Sequence, residues 1–245
     1  MIKLPDRDQI YAASEGVVGG FTFDESVASV FPDMIKRSVP GYATVIGMSS
    51  VLAAEYVQPH TNCYDLGCSL GATALSMQRG IRAEGCRIMA VDNSAAMLEQ
   101  AKAHISSSGD GVPIELLCTD IQTVEINNAS LVTLNFTLQF IPVAERLPLL
   151  RKIYQGLQPS GVLVLSEKIT FNDPEEEQLQ MEMHHAFKRA NGYNDLEISR
   201  KRSALDNVLI PETLKTHRER LNEAGFNQVN LWFQCFNFIS LVARK

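Results

Sequence analysis

Apolar residues along this chain switch between two periods. Short, nearly continuous apolar runs at residues 62–66, 87–91, 114–118, 130–136 and 162–167 read as buried strands. Between them, apolar residues recur three and four apart, the period of a helix with one buried face. Ala74, Met77 and Ile81 form one such face, and Met97, Leu98, Ala101 and Ile105 a second, with Ser94 as its cap. Leu147, Leu150, Tyr154 and Leu157 form a third, before a Pro-Ser-Gly turn at 159–161. Strands and helices in alternation predict a parallel sheet. Residues 173–190 and 213–224 read as further helices, the first with Pro174 at its start and the second stopped by Gly225. Two β-rich runs, 229–236 and 238–244, close the chain as an antiparallel hairpin, for seven strands in an α/β fold.

The N-terminal part is patterned differently. Residues 1–20 are polar and then Gly-rich (Gly16, Gly19, Gly20), a flexible entry arm. Asp24 caps a short helix that Pro32 ends or restarts. A helix follows over 42–56, with Val45, Met48, Val51, Leu52 and Tyr56 as its apolar face and Pro59 as its stop.

The first strand ends in Asp65-Leu66-Gly67-Cys68-Ser69-Leu70-Gly71-Ala72. Small residues let the backbone approach a ligand, and the new helix offers free N–H groups there. The spacing is not the Gly-x-Gly-x-x-Gly of dinucleotide binders. It resembles the glycine-rich loop of S-adenosylmethionine (SAM) dependent methyltransferases, with Ser69 in one glycine slot. Asp92 ends the second strand and follows Gly71 by 21 residues, the spacing of an acid that accepts from both hydroxyls of a ribose. Asp120 and Ile121 follow the third strand, where such a site meets adenine. Asn135 falls at the carboxyl end of the fourth, where open α/β sheets bind ligands. Tyr42 reads either as core or as a hydroxyl reaching the ligand.

The chain of 245 residues carries a net charge of −6, against a sequence-blind nucleic-acid binder. Its five cysteines form no Cys-x-x-Cys pair, so no zinc site is expected. Four of them fall near strands as buried thiols, and an odd count fits a reducing cytoplasm. No run of apolar residues is long enough for a membrane span. Residues 184–202 stand out, with Lys188, Arg189, Arg200, Lys201 and Arg202 against Asp195 and Glu197. Two readings fit: a solvated helix surface with a loop, or a site for an anionic substrate or a cofactor carboxylate. His184 and His185 read either as helix-surface residues or as spare candidates for a protein base.

Several stretches are more specific than the glycine loop. They are Phe-Pro-Asp-Met-Ile-Lys-Arg-Ser-Val-Pro-Gly-Tyr (31–42), Tyr-Asp-Leu-Gly-Cys-Ser-Leu-Gly-Ala (64–72), Leu-Asn-Phe-Thr-Leu-Gln-Phe (134–140), Lys-Arg-Ala-Asn-Gly-Tyr (188–193) and Leu-Trp-Phe-Gln-Cys-Phe-Asn-Phe (231–238). Through these the chain, beyond its first ~20 residues, resembles the carboxy-S-adenosyl-L-methionine synthases. The resemblance implies a Rossmann-like class I methyltransferase fold: one SAM-binding domain over 1–245, with an N-terminal helical extension (1–57) and a helical insertion (168–210). It implies that SAM and prephenate yield carboxy-SAM, phenylpyruvate and water, the product serving a separate enzyme that carboxymethylates wobble 5-hydroxyuridine in tRNA. By motif match the ligand-binding residues are Tyr42, Gly67, Cys68, Ser69, Asp92, Asn93, Asp120, Ile121, Asn135 and Arg202. Tyr42 and Arg202 are the catalytic candidates, and Arg202 reaches the neighbour's site in a homodimer. No metal, membrane or direct tRNA contact is implied. A plain small-molecule methyltransferase and a non-catalytic SAM-binding partner protein are the competing functions.

Overall fold

The computed structural model describes residues 7–12 and 20–245. The seven strands are β1 (Asn62–Leu66), β2 (Arg87–Asp92), β3 (Ile114–Cys118), β4 (Ala129–Asn135), β5 (Leu157–Lys168), β6 (Gln228–Cys235) and β7 (Phe238–Arg244). They form one sheet in the order β3-β2-β1-β4-β5-β7-β6. The first five run parallel, and β7 pairs antiparallel with both β5 and β6. This is the Rossmann-like, mostly parallel arrangement with a C-terminal hairpin that the periodicity and the resemblance predicted.

The pleat divides each strand between two apolar layers. Tyr64, Val132, Leu163 and Leu165 face helices α5 (Val143–Gly156) and α8 (Leu214–Ala224), meeting Leu150, Ile153 and Leu221. Cys63, Leu131, Val162 and Val164 face the other way, onto Ala53 of α2 (Tyr42–Tyr56), Met77 of α3 (Ala72–Gly80) and Leu98 of α4 (Ala95–Ser106). Helices on both faces explain why Leu-Val-Thr-Leu in β4 is apolar without alternation.

Above the carboxyl ends of the strands lie α1 (Glu25–Ser38), α6 (Pro174–Ala190) and α7 (Asp195–Leu205). Val27, Ala28, Val30 and Met34 of α1 pack on Leu70 of the glycine loop, Met97 of α4 and Ala204 of α7. Asp24 caps α1 as expected, accepting from the Val27 N–H at 3.0 Å. Pro32 does not end it. A proline inside a helix costs roughly 3 kcal/mol. The four buried apolar side chains of α1 outweigh that, at ~1.5–3 kcal/mol for each large one.

Other expectations need correcting. In α2 the buried residues are Val45, Ser49 and Ala53, while Met48 and Val51 are 36% and 52% exposed. A helix apolar on every side gives spacing no way to choose the inward face. Leu157 belongs to β5, paired with Ala129, because Ser160 at φ 64° turns the chain within the strand instead of before it. The basic stretch contains a full helix, α7, with Asn194 and Glu197 as its capping box. Cys118 is exposed and Cys235 half-buried, unlike the other three cysteines.

Of the N-terminal arm, residues 1–6 and 13–19, with Gly16 and Gly19, lie outside the described residues. Residues 7–12 are docked, not loose. Asp8 is 2% exposed, its carboxylate accepting from the Tyr193 hydroxyl and its N–H donating to Asp33 at 2.8 Å.

Candidate functional site

The turn after β1 is shaped by three residues in the left-handed region: Gly67 (φ 80°), Ser69 (φ 50°) and Gly71 (φ 80°). A methyl group on Gly67 would overlap the Thr137 side chain, so only glycine fits there. Ser69 accepts a strained backbone because Asp92 holds it: Oδ2 accepts from the Ser69 N–H at 2.8 Å. Asp92 Oδ1 accepts from the Ser94 N–H at 2.9 Å, so one carboxylate ties the loop to the start of α4. Burial keeps the Asp92 carboxyl above its ordinary range despite these bonds. Asp65, fully buried, accepts from the Ala74 N–H at 3.0 Å and the Thr133 hydroxyl at 2.9 Å. Burial raises it to about 7.

The loop opens into a cavity of about 450 Å³. Tyr42, Gly67, Cys68, Ser69, Asp92, Asn93, Asp120, Ile121 and Asn135 all line it. Asn93 Nδ2 donates to Asp120 at 2.7 Å, joining the ends of β2 and β3. Asn135 is set by two neighbours, donating to Thr73 Oγ1 at 3.2 Å and accepting from the Ser166 hydroxyl at 2.7 Å. Tyr42 faces Phe136 at 6.1 Å between ring centroids, and Phe136 faces Phe238 at the same separation. Phe136 holds φ 59°, a cost of roughly 1–3 kcal/mol that turns its ring into the cavity. Burial and the nearby Asp65 charge raise the Tyr42 hydroxyl pKa, so it stays protonated as a donor.

Arg202 does not line the cavity. It is exposed, with its guanidinium 3.7 Å from the Met181 sulfur. The cavity's cations come from elsewhere. Lys168, at the end of β5, lines it together with Lys188 of α6 and Lys201 of α7. Lys168 carries no motif in the sequence; the charge excess of 184–202 signals the other two, and Lys188 also opens the stretch 188–193. Burial lowers all three amines, Lys188 to about 7, where Lys201 and Lys168 add their repulsion, and Lys201 to about 8. Lys201 is bonded to Ser38 Oγ at 3.0 Å and lies 3.7 Å from Asp8.

His184 is buried rather than on the helix surface. Its Nε2 meets the Ser38 carbonyl at 2.8 Å and its ring packs on Phe238 at 4.9 Å. Burial and the neighbouring Lys188 and Lys168 lower its pKa to about 2, so it is neutral and Nε2–H is the donor. An aromatic roof of Phe21, Phe23 and Phe31 also lines the cavity, and of these only Phe31 falls in a motif, the stretch 31–42.

Among the described residues no cluster of three or more His, Cys, Asp or Glu is placed to hold a metal, and no helix is long and apolar enough to cross a membrane.

Comparison with known proteins bears on the family and the fold. The family described as "Methyltransferase domain" matches residues 64–161. A carboxy-S-adenosyl-L-methionine synthase of Trichlorobacter lovleyi is 59% identical over 97% of this chain and 98% of its own length. One of Yersinia enterocolitica is 54% identical over 98% of this chain and 91% of its own. A putative SAM-dependent methyltransferase of Methanococcus maripaludis superposes with a TM-score of 0.59 at 19% identity, covering 95% of this chain and 97% of that one. An O-methyltransferase family protein of Burkholderia thailandensis gives 0.63 at 15% identity, over 91% and 60% of the two chains.

Proposed function

The chain belongs to the carboxy-S-adenosyl-L-methionine synthase family, and from that premise we propose that it converts SAM and prephenate to carboxy-SAM, phenylpyruvate and water. One observation carries the reading: a single cavity has an adenosyl berth at one end and three lysines at the other. SAM has a net charge of +1. A plain methyl transfer gains nothing from extra cations beside the sulfonium, whereas an anionic co-substrate requires them.

Asp92 accepts from the ribose hydroxyls, Asp120 and Ile121 meet the adenine, and the Gly67–Ser69 backbone and Asn135 hold the amino-acid end. The sulfonium acidifies the S-methyl group. Prephenate supplies the carboxylate as carbon dioxide, which the deprotonated methyl carbon captures. Its departing hydroxide takes the methyl proton as water, so charge and atoms balance with no protein base. The neutral His184 and protonated Tyr42 agree with that. Phe136 and Phe238 wall the reacting region and exclude water.

Arg202 belongs, on this reading, to the neighbouring subunit's site in a homodimer, where it pairs with the new carboxylate. Support comes from its exposure and from the exposed apolar residues near it in sequence, Leu179, Met183 and Leu196. The product serves wobble-uridine carboxymethylation in the cytoplasm, by a separate tRNA-binding enzyme.

The test is to incubate the protein with SAM and prephenate and look by mass spectrometry for SAM heavier by one carbon dioxide. No such product, with SAM binding intact, refutes the proposal. S-adenosylhomocysteine accumulating with an acceptor would indicate an ordinary methyltransferase instead, and binding without turnover a non-catalytic partner.

A further inference from the structure

The motif-matched residues account for the adenosyl end of the cavity and leave the cationic end without a ligand. Lys188 is 9% exposed, yet among the described residues its ammonium has no hydrogen bond and no ion pair. The charged groups that act on it are Lys201, Lys168 and Arg202, all cations. An unpaired buried charge is strongly disfavoured, so a partner is missing. Lys168 is similar. The acid near it is Glu177, whose Oε2 already accepts from the Thr170 hydroxyl at 2.9 Å and the Phe171 N–H at 2.8 Å. Lys201 differs, because Ser38 and Asp8 hold it. Arg189 of the same basic stretch points away, paired with Asp195 at 2.7 Å.

Two ammonium groups without a hydrogen bond or ion pair among the described residues thus line one cavity. Beside them stand the aromatic faces of Phe136 and Phe238, and His184, which donates to the Ser38 carbonyl and adds no charge. That is a seat for a molecule with an unsaturated ring and two negative charges. We propose that Lys168 and Lys188 bind the two carboxylates of the dianionic co-substrate, so that the site selects a dicarboxylate over the monocarboxylate left after reaction. The identity of that dicarboxylate as prephenate rests on the function proposed above; the two-cation seat does not.

The test uses the full chain with Lys168→Met and Lys188→Met, variants that keep the length of the stem and remove the charge. Prephenate KM at saturating SAM should rise about tenfold to a hundredfold for each, the loss of one charge-assisted hydrogen bond. SAM affinity by calorimetry should stay within threefold, Lys188→Arg should recover part of the loss, and Arg189→Met should change neither quantity. KM within threefold of wild type in both variants overturns the proposal. So does a fall in kcat at constant KM, which would place the lysines in the chemical step. A measurement on the unaltered protein guards against misfolding of the variants. With S-adenosylhomocysteine in place of SAM, so that nothing turns over, prephenate should bind at least tenfold more tightly than phenylpyruvate; equal affinity overturns the seat. The two proposals fail separately. Lysine-dependent prephenate binding without carboxy-SAM formation sinks the reaction and keeps the seat. Carboxy-SAM formation indifferent to both lysines does the reverse.

Discussion

Asp92→Asn is the sharpest probe of the adenosyl berth, because the substitution keeps the shape and changes only what the side chain can accept. In the structure Oδ2 takes the Ser69 N–H at 2.8 Å and Oδ1 the Ser94 N–H at 2.9 Å. Their remaining lone pairs are those available to a ribose diol. An amide has one acceptor and one donor end. Whichever way it sits, an NH₂ faces a backbone N–H, and one ribose hydroxyl loses its acceptor. The backbone bond is lost from the free protein as well, so affinity loses the one ribose bond, at ~1.5–3 kcal/mol. At 1.36 kcal/mol per tenfold, SAM binding weakens by about 10- to 150-fold. Titration calorimetry with SAM reads this directly. Ser69→Ala is the control, since it removes only the hydroxyl that lies 3.6 Å from the Met97 sulfur and keeps the N–H on Asp92; its affinity should stay within threefold. The pH dependence adds a signature. Burial raises the Asp92 carboxyl, so on acidification it loses its charge earlier than an exposed aspartate. A protonated carboxyl cannot accept at both oxygens, and SAM affinity therefore falls as pH falls through that raised value. Asp65, at about 7, is raised in part by the Asp92 charge, so in the variant its titration moves down together with the loss of the Asp92 signature. Asp92→Asn binding SAM within fivefold of wild type would refute the assignment.

Two further substitutions test the frame around that berth. Gly67→Ala forces a side chain into the left-handed region, at ~1–2 kcal/mol, and drives it into Thr137; differential scanning calorimetry should show Tm lower by about 4–10 °C, with SAM affinity down more than a hundredfold, and an unchanged Tm would contradict the packing. Arg146 is fully buried, bonded to Glu212 and to the carbonyls of Gln139 (3.2 Å), Ile141 (2.9 Å) and Ile210 (2.9 Å), which fixes the segment after Phe136. Arg146→Met takes the donor from the Ile141 and Ile210 carbonyls, at ~1–3 kcal/mol each, while Glu212 keeps Arg220 and the Gln139 carbonyl keeps the Ile210 N–H; a thermal melt should fall by roughly 10 °C, and a fall under 2 °C would show the network to be redundant.

The two ends of the cavity differ in how far they were written into local sequence. Gly67, Asp92, Asp120 and Asn135 sit at or just past the carboxyl ends of β1 to β4, so the run of strands locates all of them. Strand spacing fixes where such acids fall, and the glycine pattern marks the turn. Lys168, Lys188 and Lys201 obey no common period. They come from the end of β5 and from two helices of the 168–210 segment, and tertiary packing alone brings them to one cavity. Composition obscured them too, because a net charge of −6 averages an acidic chain over a cationic pocket. Even in the basic stretch, residue type did not separate Lys188 from Arg189. The helix does, turning one inward and the other to solvent, where Asp195 meets it. A buried charge declares a function only through what it lacks. At Lys201 the partner is Asp8, from a segment whose sequence promised nothing but mobility. At Lys188 no described residue fills that place, and the missing anion has to arrive with the substrate.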